Sequence, residues 1–224
     1  MGKVILIALR VTAITLVLTG LLYPVLVTGI AQVLFHSKAD GSMVKDEKGV
    51  VIGSELIGQG FSRPEYFQPR PSAAGNGWDA TSSSGSNLGT TSSKLQKRVQ
   101  DDFARLTQEN PDAPGPVPVE LLSASGSGLD PEVSRESALW QAPRVAKARG
   151  VALERVTAAV ESFVEGRDLG FLGEPRVNVL RLNLAIDQQF GRPPPLPPPP
   201  ADAGTDATDA GTEPNDAGSV DAGS

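Results

Sequence analysis

No cysteine occurs among the 224 residues, and histidine occurs once. The first absence excludes disulfides and thiolate metal sites. The second leaves a Ser-His-Asp triad only His36 as its base, and His36 stands where a long apolar run ends, so it reads as an interfacial side chain. Carboxylates alone could still bind calcium, but the acids of the C-terminal stretch stand three to five residues apart, not at the alternate positions of a calcium loop. Lys and Arg are also missing after Arg192. Six of the 26 acids fall there (Asp202, Asp206, Asp209, Glu213, Asp216 and Asp221), so the rest of the chain sets 20 acids against 20 bases. A neutral body without a basic cluster argues against nucleic-acid binding.

What the N-terminus has instead is length without charge. Residues 11–35, "VTAITLVLTGLLYPVLVTGIAQVLF", carry no charged side chain. As a helix at about 1.5 Å per residue they reach about 37 Å, enough to cross a hydrocarbon core of about 30 Å with some tilt. The run exceeds the hydrophobic region of a secretory signal, so it is expected to remain as an anchor. Pro24 in mid-span suggests a kink satisfied by a neighbouring helix. Lys3 and Arg10 precede the run and Lys38, Lys45 and Lys48 follow it, so charge alone does not choose the orientation. At 100° per residue Ala8, Thr12, Thr15, Thr19 and Tyr23 share one side and Ile14, Val17, Leu18, Leu21 and Val25 the other. The small and polar side is the candidate partner interface, although Thr hydroxyls also bond their own helix.

The chain divides into an N-terminal anchor segment (1–35), a soluble domain (36–192) and a tail (193–224). The domain opens with two short strands around the turn at 46–49, residues 50–52 forming the return strand. A loop at 62–89 follows, rich in Pro, Gly and Ser and holding Tyr66, Phe67 and Trp78; one this long is functional or anchored by specific side chains. Ser92 or Ser93 caps a helix to about residue 109, with Leu95, Val99, Phe103 and Leu106 facing the core. "NPDAPGPVPVELL" reads as a connector ending in a short strand. Asp130 is the expected N-cap and Pro131 the first residue of a helical stretch toward Gly150, broken near Pro143. Another helix is expected at 153–165, with Val156, Val160 and Phe163/Val164 on one face. Residues 176–188 fit either strand or helix, and helix is chosen. The tail combines "RPPPLPPPP", a polyproline spacer, with repeated "DAG", and is expected to be disordered.

Two Ser/Gly runs invite a catalytic reading, "SASGSGLDPEVS" (123–134) and "SSSGSNLGTTSSK" (82–94). Neither holds the Gly-Lys of a phosphate-binding loop, no serine has glycines two positions to either side, and Thr91 occupies the position three before Lys94. The conformational reading is preferred: Gly126 and Gly128 permit positive φ, while Ser125, Ser127 and Asp130 bond the turn's own backbone.

Taken in order, "LLYPVLVTG", "GSELIGQGFSRPEYFQPRPSAAG", "GSNLG", "SASGSGLDP", "PRVAKARG" and "LGEPRVNVLRLNLAID" resemble the KdpC family, the C subunits of bacterial Kdp potassium-transporting P-type ATPases. The resemblance covers about residues 21–186. The family usually has Pro and Asn-Pro where this chain has Thr90 and Ser92-Ser93, His where Glu132 stands, and Ser-Pro at Ser134-Arg135. It implies a single transmembrane helix, a mixed α+β extracytoplasmic domain, and residence in the cytoplasmic (inner) membrane. It also implies two partners, a potassium-binding channel-like subunit and an ATP-hydrolysing P-type subunit, and a non-catalytic role. That role is stabilising assembly and acting as a catalytic chaperone that raises ATP affinity, so ATP is implied for the complex rather than for this chain. A domain outside the membrane cannot touch ATP, so either that effect is indirect or the placement differs. The residues also fit two other classes: an anchored envelope-binding module using Tyr66, Phe67 and Trp78 as a platform, and an anchored exported hydrolase.

Overall fold

The computed structural model describes residues 1–46 and 48–194, so the expectation of a disordered tail lies outside the described residues. A helix runs over Gly2–Leu34 with mean hydropathy 2.3, the one element among the described residues long and apolar enough to cross a membrane. It begins nine residues before the uncharged run, so that Lys3 and Arg10 lie on its first turns. It has two α-helical parts, α1 (Gly2–Val17) and α2 (Tyr23–Leu34), joined by a π-helical turn at Leu18–Leu22. Pro24 is the cause. It has no N–H to give the Gly20 carbonyl and its ring crowds that turn, so the Tyr23 N–H bonds back five residues to Leu18. A short α3 (His36–Ala39) follows a break at Phe35.

β1 (Met43–Lys45) and β2 (Val51–Ser54) form the expected antiparallel hairpin, with a bulge between Val44 and Lys45. The long loop then leads to α4 (Ser93–Glu109), capped by the Ser92 hydroxyl, which accepts from the Leu95 N–H. Its apolar stripe does not behave as expected. Only Leu106 is buried, and Phe103 is 49 % exposed, because the helix rests on the body near its C-terminal end beside a 3₁₀ turn at Val119–Leu122. That turn stands where a strand was expected; the Leu121 N–H bonds to the Pro118 carbonyl.

The centre is a three-stranded antiparallel sheet, β3 (Glu132–Ser134), β5 (Arg176–Asn178) and β4 (Val164–Glu165), with β5 in the middle. Val133 and Val164 both pair with Val177, and Val133 and Val177 are buried. Three helices pack around it: α5 (Arg135–Arg149), α6 (Leu153–Ser162) and α7 (Val179–Phe190). Trp140, Val145, Val156, Val160, Leu182 and Ile186 form the core with the strand valines.

Several boundaries differ from expectation. Asp130 does not cap a helix: Glu132–Ser134 pair as a strand first, and Ser134 caps α5 by accepting from the Ser137 N–H. Pro143 lies inside α5 without ending it, since Trp140, Gln141, Arg144 and Val145 on either side are buried. The expected 153–165 helix stops at Ser162 because Val164 and Glu165 join the sheet. The 176–188 segment is helical from Val179 onward, after three residues of strand.

Candidate functional site

The long loop is held by side chains, and the strongest holds converge on residues 63–68. Phe67 is fully buried, and its peptide N–H and C=O both pair with the Asn183 side-chain amide, at 2.8 and 2.9 Å. Gln68 does the same with the buried amide of Gln141, at 2.8 and 3.0 Å. Two amides, one from α7 and one from α5, thus act as a sheet partner for a segment with no neighbouring strand, satisfying groups that would be costly to bury unpaired.

Two arginines of α5 complete the clamp. Arg144 is buried and donates to the carbonyls of Pro64 and Tyr66 and to the side-chain oxygens of Asn110 and Gln141. Burial among neutral acceptors pulls its pKa down to about 10. Arg149 donates to the carbonyls of Glu65 and Gly191, forms a 2.8 Å ion pair with Asp187, and lies 5.0 Å from the Tyr66 ring centre. The Tyr66 hydroxyl donates to the other Asp187 oxygen at 3.0 Å, and burial, followed by that bond, raises the phenol's pKa. Glu65 is bound by Arg63 at 2.8 Å, which lowers its pKa.

Both Ser/Gly runs meet at the other end of the loop. The Ser127 carbonyl accepts from the Ser84 N–H and the Ser83 hydroxyl, at 2.9 and 3.0 Å. Ser72 donates to the Gly128 carbonyl and accepts from the N–H groups of Ala74 and Trp78. Gly128 has φ +69°, and a Cβ there would stand 2.6 Å from both the Ala74 nitrogen and the Ser84 oxygen. Gly126 is different: its φ lies outside the left-handed region and a Cβ meets nothing within 4 Å, so the expected demand for glycine there is absent. Gly85, unnoticed in the sequence, faces the Gly126 oxygen, which a Cβ would approach to 2.8 Å. Asp130 accepts from the Glu132 N–H and pairs with Arg70 at 3.0 Å. The Ser127 hydroxyl accepts from the Leu129 N–H, bonding the turn's own backbone.

The three loop aromatics do not form a platform. Phe67 is core, Tyr66 is held by Asp187 and Arg149, and only Trp78 lines a cavity of about 640 Å³ under α4, with Phe61, Arg98, Leu106 and Leu121. His36 bonds Gln32 and Asp40 at the end of α2, far from both serine runs in sequence. In the membrane helix the Thr19 hydroxyl donates to the Thr15 carbonyl at 2.8 Å, while Thr12, Thr15, Thr19 and Tyr23 all remain exposed. Among the described residues no group of three or more His, Asp or Glu side chains could hold a metal.

Sequence reading missed Gln141, Arg144, Arg149, Asn183 and Asp187. Their signal was available as polar residues interrupting apolar helices, within "PRVAKARG" and "NLAID" for four of the five.

Such an arrangement defines a class: a membrane-anchored domain whose polar side chains are spent on fixing a surface rather than on a reacting centre. The family model for KdpC, described as "K+-transporting ATPase, c chain", matches residues 5–188. The chain is 64 % identical over 190 residues to the potassium-transporting ATPase KdpC subunit of Myxococcus xanthus, covering 85 % of this chain and 89 % of that protein. It is 53 % identical over 174 residues to that of Caulobacter sp. strain K31 (78 % and 88 % covered). With that of Koribacter versatilis it shares 48 % over 196 residues (87 % and 100 %). The chain belongs to the KdpC family, the non-catalytic subunits of potassium-transporting ATPases.

Proposed function

We propose that this chain stabilises the assembly of an ATP-driven, high-affinity potassium-uptake complex and raises the ATP affinity of its ATP-hydrolysing subunit. The observation that carries the reading is the clamp on residues 63–68, where stretches resembling the family converge and the amides and arginines are committed to backbone, to side-chain amides or to ion pairs. A surface so fixed suits docking. Preorganisation lowers the cost of binding a partner, and it leaves no nucleophile and base poised for chemistry.

In this reading the helix crosses the cytoplasmic membrane once, with the domain outside, and Thr12, Thr15, Thr19 and Tyr23 face the larger subunits. Gly128 and Asp130 act through the geometry of their loop. ATP is bound by the partner, and the chain affects it by favouring the ATP-competent state of the complex, a coupling between separate sites. The test is ATP hydrolysis by the complex purified with and without this chain. A KM for ATP that is higher without the chain is expected; an unchanged KM in an intact complex of the larger subunits would remove the chaperone role.

A further inference from the structure

Between β4 and β5 the chain makes an excursion, "GRDLGFLGEP" (166–175), that shows two costly features together. Leu169, Phe171 and Leu172 are 83, 69 and 49 % exposed within four positions. The turn presenting them is tightly closed. The Asp168 carbonyl accepts from the N–H groups of Phe171 and Leu172, and the Asp168 N–H donates to the Leu172 carbonyl at 2.9 Å. Both Leu169 and Gly170 have positive φ, +53° and +82°. Gly, Asn and Asp adopt that conformation at low cost; a leucine is strained in it. The backbone conformation closes the β4–β5 hairpin, since a tight hairpin turn asks for positive φ at its central residues. A leucine at that position and three exposed apolar side chains serve neither the turn nor the core, and strain kept at such a residue points to function.

We propose that the Leu169–Phe171–Leu172 tip is a docking element that inserts into an apolar socket, rimmed by basic residues, on one of the larger membrane subunits. This rests on the assembly role proposed above. The tip's surroundings favour a protein over the bilayer. Arg167 is paired with Glu174, and Arg176 with Glu132, Glu165 and Asp168, so neither arginine of this segment is free for anionic headgroups. Five acids (Glu55, Glu132, Glu165, Asp168 and Glu174) share the three arginines Arg167, Arg176 and Arg181, so the surroundings keep a net negative charge that an anionic leaflet would repel and a basic rim would suit. The tip also has no Trp or Tyr of the kind that anchors at membrane interfaces. An aromatic side chain flanked by two leucines is the type of anchor that fills a pocket in a partner.

The test uses the full chain co-produced with its partners, carrying Leu169→Asn together with Phe171→Gln. Asn tolerates positive φ, so the variant subunit is expected to melt at the parent temperature or about 2–4 °C above it. Recovery of the larger subunits with it should fall about ten-fold or more. Recovery equal to that of the parent would overturn the proposal. Phe171→p-benzoylphenylalanine, irradiated in the intact complex, should yield an adduct with a larger subunit; adducts with phospholipid alone, or with a second copy of this chain alone, would overturn it. If the parent chain itself brings down no larger subunit, the assembly role fails and the proposal with it.

Discussion

Gly126 and Gly128 stand two positions apart and look interchangeable in the sequence, yet what surrounds them decides opposite outcomes. At Gly128 a side chain meets both a left-handed backbone and atoms 2.6 Å away; at Gly126 it meets neither. Gly128→Val should therefore cost about 2–5 kcal/mol, the sum of conformational strain and overpacking, while Gly126→Val, Ser125→Ala and Ser127→Ala remain mild. Thermal melting of the four variants checks this ordering, and a serine variant that assembles fully but loses ATPase activity would mean that the loop takes part in chemistry. Glu132 gives a second prediction. Burial, with repulsion from Asp130 and Glu165, outweighs the pull of Arg176 and raises its pKa. A carboxyl with a raised folded pKa contributes stability that is present at low pH and lost as pH rises through that value. Glu132→Gln imitates the protonated form and keeps an acceptor for Arg176, so it should melt above the parent at pH 7 and lose that advantage near pH 4. An equal gap at both pH values would contradict the assignment. Such environments were only half legible: Gly-x-Gly announced a turn, but which glycine was crowded depended on Ala74 and Ser84, more than 40 positions away.

Elements defined by local signals were readable in advance. The hairpin at 43–54 and α4 from its Ser92 cap to Glu109 stand where turn and cap chemistry put them. Elements defined by distant pairing were not. β3 exists because Glu132–Ser134 meet Arg176–Asn178, and that pairing moves the start of α5 from Pro131 to Arg135. The same limit applies to α4, whose periodic stripe marks a helix without saying what covers it. In the membrane helix the period itself changes at Leu18–Leu22, so the face inferred from a constant 100° per residue is not carried past Tyr23, the first residue of α2. Thr19 already bonds the Thr15 carbonyl, which satisfies its hydroxyl but leaves its small profile available for close helix approach. Leu at Thr15 and Thr19 together should reduce co-purification with the larger subunits, whereas Leu at Ile14 and Val17 should not. Equal recovery of the two double variants, measured by quantitative immunoblot after mild detergent extraction, would remove the threonine-faced interface.

At the scale of the molecule, six ordered stretches spread over more than 160 residues signalled one family, while the geometry that unites them was out of reach of the sequence. "SRPEYFQPR" reads as an irregular loop, and only the fold shows that Gln141, Arg144, Arg149, Asn183 and Asp187 hold it as firmly as a strand. The tail after Arg192 is rich in proline, alanine and aspartate and holds only two large apolar side chains, Leu196 and Val220. Its composition cannot bury enough apolar surface to pack, so a chain ending at Arg192 should assemble and support potassium transport like the full chain, as cell growth at limiting potassium would report. The central claim is that the anchored domain is a fixed docking surface working within a larger membrane assembly. The most direct measurement is purification of the tagged full chain in mild detergent from cells producing the whole system. The account predicts recovery of two larger membrane proteins, one hydrolysing ATP, in constant ratio with the chain; a chain that elutes alone from membranes in which both larger proteins are present would contradict it.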